Sequence, residues 1–542
     1  MSDRRRKALT LVATILGSTI VFLDSTVVNV ALPALSDDLD ASLADQQWVV
    51  EAYLLALVSL LLVGGSLGDQ FGRRRMFMLG LAGFAVTSVL CALAPSTSVL
   101  IGARALQGFA GALLVPGSLA ILAATFEGAE RGKAIGTWTA WSGIATVLGP
   151  AGGGALVEAI SWRAIFWVNI PLIAVTLLVA REAVRESSDP QADRRIDWLG
   201  IAMSAAGLGG PVYALIQQPT HGWGDPVVFV PLIAGIALFT AFLLWESRMS
   251  HPVLDLSLFR VRNFAVTNIE TLIVYAGLIG AFFFVTLFLQ QTVGYSPIEA
   301  GLATTPISLL LFVLSPRWGK LATGTGPRLP MAVGPVVAGF GLLLLLRVGA
   351  DSSYVGDVLP GVLLFGLGLS ATVAPLTATA LNSVEERHAG VASGINNGVS
   401  RVAGLLAIAV LGALISGQFG GRIDSELEGV SLSAQGRAAV DEAKADPLPA
   451  PDTSEVPPAE ADRIDAAATA AAEEGFHLGI GVAAGLMIAG GVIAGFGIQN
   501  PKHPGEPRHA PRAAAAGECA RCGPHEEGRP RDEEREPAAA PA

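Results

Sequence analysis

Over 542 residues the chain is 52% hydrophobic and 15% charged, with a mean hydropathy of +0.55. Soluble domains carry roughly 45–50% apolar and about 25% charged residues, so this composition excludes a soluble enzyme of three or four domains and places most of the chain in a bilayer. The formal net charge of −11 comes from acidic residues gathered near 421–476 and in the C-terminal tail, and it points to no nucleic-acid partner.

Arg4, Arg5, Arg6 and Lys7 precede the first apolar stretch. That stretch is longer than the apolar region of a signal peptide, and more spans follow, so it reads as a membrane helix that stays. A spanning helix needs roughly 20 mainly apolar residues. Fourteen stretches qualify, near 8–34, 46–67, 76–95, 98–126, 135–157, 164–181, 198–217, 226–246, 263–290, 298–316, 328–348, 358–381, 388–418 and 477–498. With the N-terminus inside, the cytoplasmic segments before the last span hold twenty Lys and Arg, and the short outer loops hold only Arg163 and Arg347. The positive-inside rule then puts both termini in the cytoplasm. Residues 421–476 are rich in Ala, Asp, Glu and Pro and are expected as an extracellular acidic loop, disordered apart from marginal helices over 425–445 and 459–475. The tail 500–542 reads as disordered on the same grounds, and its Cys519-x-x-Cys522 is a weak metal or redox signal.

An internal repeat is visible. Gly65, Leu67, Gly72 and Arg74 recur as Gly319, Leu321, Gly326 and Arg328, offset by 254, and Glu130-Arg131 recurs as Glu386-Arg387. The predicted architecture is all-α: a six-helix half over 1–181, two inserted helices over 198–246, and a second six-helix half over 263–498. Repeated halves around a central site are a transporter arrangement.

The loop after the second span reads Gly65-Ser-Leu-Gly-Asp-Gln-Phe-Gly-Arg-Arg-Arg75. Its glycines permit a tight turn, Asp69 can accept from Arg73 or a helix N-terminus, and Arg73 and Arg74 fix orientation. This stretch resembles the loop signature of the major facilitator superfamily. Its second copy has Thr323 in place of Asp69, so a charged latch is expected on one side only. Asp24 to Pro33, Trp48 to Tyr53, Arg104-Ala-Leu-Gln-Gly108, Gly149-Pro150-Ala-Gly-Gly153-Gly154 and Trp162 to Pro171 together resemble the fourteen-span drug:proton antiporter branch of that superfamily, the EmrB/QacA type. His251 to Asp255 and Gln291 to Gly301 fit the same branch. Gly143, Gly149, Pro150, Gly153 and Gly154 resemble the segment associated with antiporters. Small residues there let helices approach closely and Pro150 can bend the helix, although ordinary helix packing would use the same residues.

Four ionisable residues fall inside spans and are functional candidates by position: Asp24, Glu51, Arg104 and Glu270. The resemblance makes Asp24 the coupling acid and Arg104 a proton-handling residue. Alternatively Asp24 is a structural partner of Arg104, Glu51 is wetted from outside, and Glu270 faces the cytoplasm. Phe282, Phe283, Phe284 and Phe288 either line a substrate pocket or face lipid. No phosphate-binding loop, metal cluster or nucleophile constellation stands in the spans, so no enzyme activity and no cofactor are expected. The expected activity is proton-driven export of hydrophobic or cationic drug-like small molecules by alternating access, performed by a monomer in the bacterial plasma membrane. The rivals are a dedicated exporter of one endogenous metabolite or antibiotic, and a membrane sensor or scaffold.

Overall fold

The structure, a computed structural model, describes residues 2–126, 128–188, 197–249, 254, 256–384, 389–445 and 451–500. The tail with Cys519 and Cys522 lies outside the described residues.

Among these residues every regular element is helical. The first half runs α1 (Asp3–Leu39), α2 (Leu43–Phe71), α3 (Arg73–Ala92), α4 (Thr97–Thr125), α5 (Gly128–Ala159) and a last helix broken at Val168 into α6 (Ala164–Trp167) and α7 (Asn169–Ala183). Then come α8 (Trp198–His221) and α9 (Pro226–Glu246). The second half runs α10 (Arg262–Gln291), α11 (Pro297–Thr325), α12 (Arg328–Leu344), α13 (Leu359–Asn382), α14 (Ala389–Glu426), the short α15 (Ala434–Ala445) and α16 (Pro458–Gly497). Among the described residues twelve helices are long and apolar enough to cross a membrane. α2 and α5, at 29 and 32 residues, match them in length.

The two halves are packed alike. α1 lies on α5 and α7, and α4 on α2 and α3; correspondingly α10 lies on α14 and α16, and α13 on α11 and α12. The halves meet reciprocally, α5 on α11 and α2 on α14. The repeat also reaches the helix caps. Ser42 with Asp45 opens α2 as a capping box, and Ser296 with Glu299 opens α11 in the same way, again 254 residues on. Each box satisfies two backbone donors that a helix start would leave unpaired.

α8 packs on α9 and covers the seam between α2 and α14. Among those twelve helices α9 is the least covered by protein. A helix that is apolar all round and unburied by protein belongs against lipid.

Within 421–476, where the sequence allows marginal helices over 425–445 and 459–475, α15 and the start of α16 stand at those places and α14 continues to Glu426. Phe419, Ile423 and Leu427 extend the apolar stripe of α14, and Ile464, Ala467, Ala468, Ala471 and Ala472 extend that of α16. Ala439, Val440 and Ala443 of α15 close over both. The alanines that lower mean hydropathy here are small enough to bring helices together, which a composition argument does not register. Arg422 bonds Glu426 at 2.6 Å and Glu474 at 3.0 Å, and Lys444 bonds Asp424 at 2.5 Å.

Candidate functional site

A polar cluster sits inside the first half. Asp24 of α1 and Arg104 of α4 are 0% and 1% exposed, and Arg104 Nη1 donates to Asp24 Oδ2 at 2.5 Å. The remaining carboxylate oxygen, Oδ1, accepts from Gln107 Nε2 at 3.1 Å and Asn169 Nδ2 at 3.2 Å. Both amides also donate to Ser88 Oγ, at 3.0 and 3.3 Å. Arg104 Nε donates to Val49 O at 3.1 Å and Nη1 also to Gln107 Oε1 at 2.7 Å, and the guanidinium lies 4.2 Å from the Tyr53 ring centre. Burying such a pair costs several kcal/mol per ion, recovered only where the remaining lone pairs and protons are also satisfied. Here α1, α2, α3, α4 and α7 all contribute. Arg104 and Gln107 are three apart on one helix face, and the break at Val168 starts α7 at Asn169, directing that amide inward.

The loop between α2 and α3 turns at Gly72, whose φ of 103° an L side chain rarely adopts. Beyond it, Glu186 closes the start of α3: its two carboxylate oxygens accept from the backbone N–H groups of Arg74 and Arg75 at 3.1 and 3.2 Å. Arg73 N–H donates to Ser187 O at 2.9 Å, and the Arg74 side chain to Arg181 O at 2.9 Å. The second copy repeats the arrangement with a neutral group. Gly326 has a φ of 88°, and Asn500 Oδ1 accepts from Arg328 N–H at 3.1 Å. Gly65 sits within α2, but its surroundings and the side chains of Asp69 and Thr323 lie outside what the structure describes, so the latch expected at Asp69 has no geometry here.

The glycine-rich end of α5 forms a joint between the halves. Gly149 and Gly153 face Thr26 and Val27 of α1, while Gly154 faces the backbone of Pro297 and Ile298 on α11. Gly301 of α11 in turn faces the Pro150 carbonyl. A Cβ at Gly154 or Gly301 would collide with backbone that cannot swing away. The same face carries hydrogen bonds between halves: Gln47 to Ile408 O at 3.4 Å, Gln290 to Val30 O at 3.2 Å, and Ile298 N–H to Glu158 at 3.4 Å. All lie toward the face where α1 ends, so the halves are held together there. Gly143 sits within α5, and its surroundings are outside the described residues.

The family model for the Major Facilitator Superfamily matches residues 14–408. The chain belongs to the major facilitator superfamily. Among curated relatives, the chain is 36% identical over 417 residues to the tetracenomycin C resistance and export protein of Streptomyces glaucescens, covering 77% of each chain. It is 36% identical over 425 residues to multidrug resistance protein Stp of Mycobacterium tuberculosis (strain CDC 1551 / Oshkosh), covering 78% of this chain and 79% of that one. In fold it is similar to a solved bacterial homologue of the human lysosomal transporter Spinster in an inward-facing, unoccupied conformation, with a TM-score of 0.62 at 16% identity, over 90% of this chain and 97% of that one. The protein is therefore a multi-pass membrane transporter of small molecules, not an enzyme, and its bacterial relatives and apolar spans agree with a plasma-membrane location.

In this major facilitator protein the four sequence-picked charges do not form one site. Asp24 and Arg104 meet. Glu51 and Glu270, both 0% exposed, stand apart on α2 and α10, and among the described residues their carboxyl oxygens have no hydrogen-bond partner. Glu51 shares its face of α2 with Gln47, which reaches α14, and Leu55, which touches Gly209 of α8. It therefore lies by the seam that the inserted helix covers and is not wetted from outside. Glu270 lies between Asn268 and Thr271, which both bond Asn396 of α14.

Phe283, Phe284 and Phe288 are buried, while Phe282 is partly exposed and borders a small cavity with Val285 and Phe365. Phe283 and Phe284 join the apolar cluster that runs from the first half into α10 and α14. Phe288 stacks on Phe476 of α16 at 3.9 Å, and Phe282 lies 6.2 Å from Phe365 on α13.

Four residues absent from the sequence candidates matter to this geometry. Gln107 and Asn169 hold the Asp24 carboxylate, and Glu186 caps α3. Arg401, on α14, is a further arginine within a span, where charge alone could have flagged it. Its guanidinium lies 5.2 Å from the ring centre of Phe22 on α1, in the opposite half.

Proposed function

We propose that the chain is a proton-coupled exporter of drug-like hydrophobic compounds, an antiporter that works by alternating access as a monomer and needs no cofactor beyond the proton gradient. The observation that carries this is the Asp24–Arg104 pair, which is sealed inside the first half with the guanidinium against the ring of Tyr53. Tyr53 OH donates to Val21 O at 3.3 Å, its ring lies against Arg104, and its hydroxyl is within electrostatic reach of Asp24, Arg104 and Arg401. A solute entering between the halves would press on Tyr53 and so on the pair. An intramembrane carboxylate keeps its charge only while its partners hold. Loosening Arg104 would let Asp24 accept a proton, and releasing the solute would let the pair re-form. Each charge moved down the potential supplies about 2.3 kcal/mol per 100 mV.

The twelve apolar helices together with α2 and α5 make fourteen spans, as in the EmrB/QacA branch. The excess of Lys and Arg in alternate loops supports cytoplasmic termini. In that orientation the joint of α5 with α11 closes the outer face, so this conformation would open inward to load solute. The relatives named for antibiotic and multidrug resistance support export. A dedicated exporter of one antibiotic is the second reading, favoured by the relative named for export of tetracenomycin C.

The test is efflux from energised inverted vesicles, across a panel of dyes and antibiotics. Proton-coupled export predicts uptake into the vesicles that stops when a protonophore is added. Uptake indifferent to the protonophore refutes it, and uptake of a single compound favours the second reading.

A further inference from the structure

We infer that Arg401 anchors an anionic group of the exported solute, so that the transporter favours amphiphilic acids (a flat apolar body bearing one carboxylate or similar oxyanion) over cations. The inference deepens the exporter reading above and rests on it.

Arg401 stands well inside the bundle. It is twelve residues into α14, about 18 Å from the helix start at 1.5 Å per residue. Its height is fixed by the packing of α14 on α10. Below it, Asn396 bonds Asn268 at 3.3 Å and Thr271 at 2.8 Å; above it, Gly404 meets Ile279. The side chain turns toward the other half, where the face of Phe22 receives it at 5.2 Å. The hydroxyls of Tyr53 and Tyr275 are within its electrostatic reach.

What Arg401 lacks is an acid. Among the described residues no carboxylate lies within 4 Å of it and it donates no hydrogen bond, although a guanidinium carries five N–H groups. Asp24 is two residues from Phe22, which on a helix faces the opposite way, and Asp24 already holds Arg104 at 2.5 Å. Glu51 and Glu270 are sealed at 0% exposure. An uncompensated cation at this depth is costly, and such residues mark solute or ion pathways. Room for a partner is present beside it. Gly398, one turn earlier on the same face, has open space where a side chain would stand, and Arg401 itself is partly exposed.

The chemistry of a partner follows from these groups. A planar fork of donors matches a carboxylate or similar oxyanion bidentately. The rings of Phe22 and Tyr275 offer faces for a flat apolar body. A cationic solute would instead meet Arg401, with no free carboxylate beside it among the described residues. Of the hydrophobic or cationic compounds expected from the sequence, Arg401 would disfavour the cationic ones.

The test uses three probes with one ring system: anthracene-9-carboxylate, its methyl ester, and 9-(aminomethyl)anthracene. Equilibrium binding to the full-length protein in lipid nanodiscs, without a gradient, is followed by the probe's fluorescence anisotropy. The wild type should bind the acid at least about tenfold more tightly than the ester or the ammonium. Arg401→Gln should bring acid and ester to equal affinity while leaving the ester unchanged, which also reports that the site is folded. Arg401→Lys should restore part of the acid preference. If neither variant folds, the ranking of the three probes by the wild type decides alone. A wild type that takes the ammonium best, or an acid preference that survives Arg401→Gln, overturns the inference. Because no gradient is applied, a failure of proton coupling leaves this result readable, and a failure here leaves the exporter reading standing.

Discussion

Replacing Asp24 by Asn removes the charge of a buried pair and keeps its shape. Two unit charges 4 Å apart at an effective dielectric of 20 attract by about 4 kcal/mol, and breaking a buried pair by neutralising one member costs about 3–5 kcal/mol. The cost here should fall at the low end, about 3 kcal/mol, because Arg104 keeps its bonds to Val49 O and Gln107 and its place against the Tyr53 ring. Neutralising both partners, with Asp24→Asn and Arg104→Gln together, should return about 2 kcal/mol of that loss as a coupling energy. Stability is read by thermal unfolding in detergent, and proton-linked efflux is read in vesicles. If the pair also couples proton to solute, the double variant regains stability and stays inactive in proton-linked efflux. If the two single losses simply add, the two residues do not interact as the geometry says. If the double variant regains both stability and coupled efflux, the pair is structural only.

Three further outcomes follow from the same geometry. Gly154→Val should force α5 from the α11 backbone and prevent closure of the face where α1 ends; labelling of Ser296→Cys by an impermeant maleimide should rise, and unchanged labelling would mean that the joint yields. Glu186→Gln should weaken the start of α3 by about 0.3–1 kcal/mol, the usual worth of a charge at a helix N-terminus, measured by thermal unfolding; no change would show that water replaces the cap without cost. Replacing residues 428–469 with a linker of about six Gly and Ser residues, enough to cross between neighbouring helices, should leave efflux intact, whereas lost efflux from a folded bundle would assign the α15 cap a part in transport.

Much of the frame was readable in advance because it is written locally. Apolar runs of spanning length, charge in alternate loops and a 254-residue offset each need only short windows of sequence. The same offset, read at Ser42-x-x-Asp45 and Ser296-x-x-Glu299, would have located both helix starts. The pairing of Asp24 with Arg104 was legible as a prospect, since opposite charges in neighbouring spans have few other places to go. Gln107, Asn169 and Ser88 were not, because a neutral polar residue in a span has many structural uses and only the packing of α1, α3, α4 and α7 shows that these converge on one carboxylate. Glu186 and Asn500 lie beyond the motif they complete, and no spacing rule links them to Gly72 and Gly326. Arg401 was overshadowed by the polar start of its helix. The packing of α15 against α14 and α16 was hidden by alanine, which contributes little hydropathy yet permits close helix contacts.

Substrate-induced proton movement across a reconstituted membrane tests the coupling most directly. Liposomes carrying the protein and a trapped pH dye receive solute on one side, with the membrane potential clamped. Export in exchange for protons predicts that protons move opposite to the solute, in proportion to it, and that Asp24→Asn abolishes the signal. Solute crossing at full rate with no proton signal, or no solute crossing under any imposed pH gradient, would contradict the account.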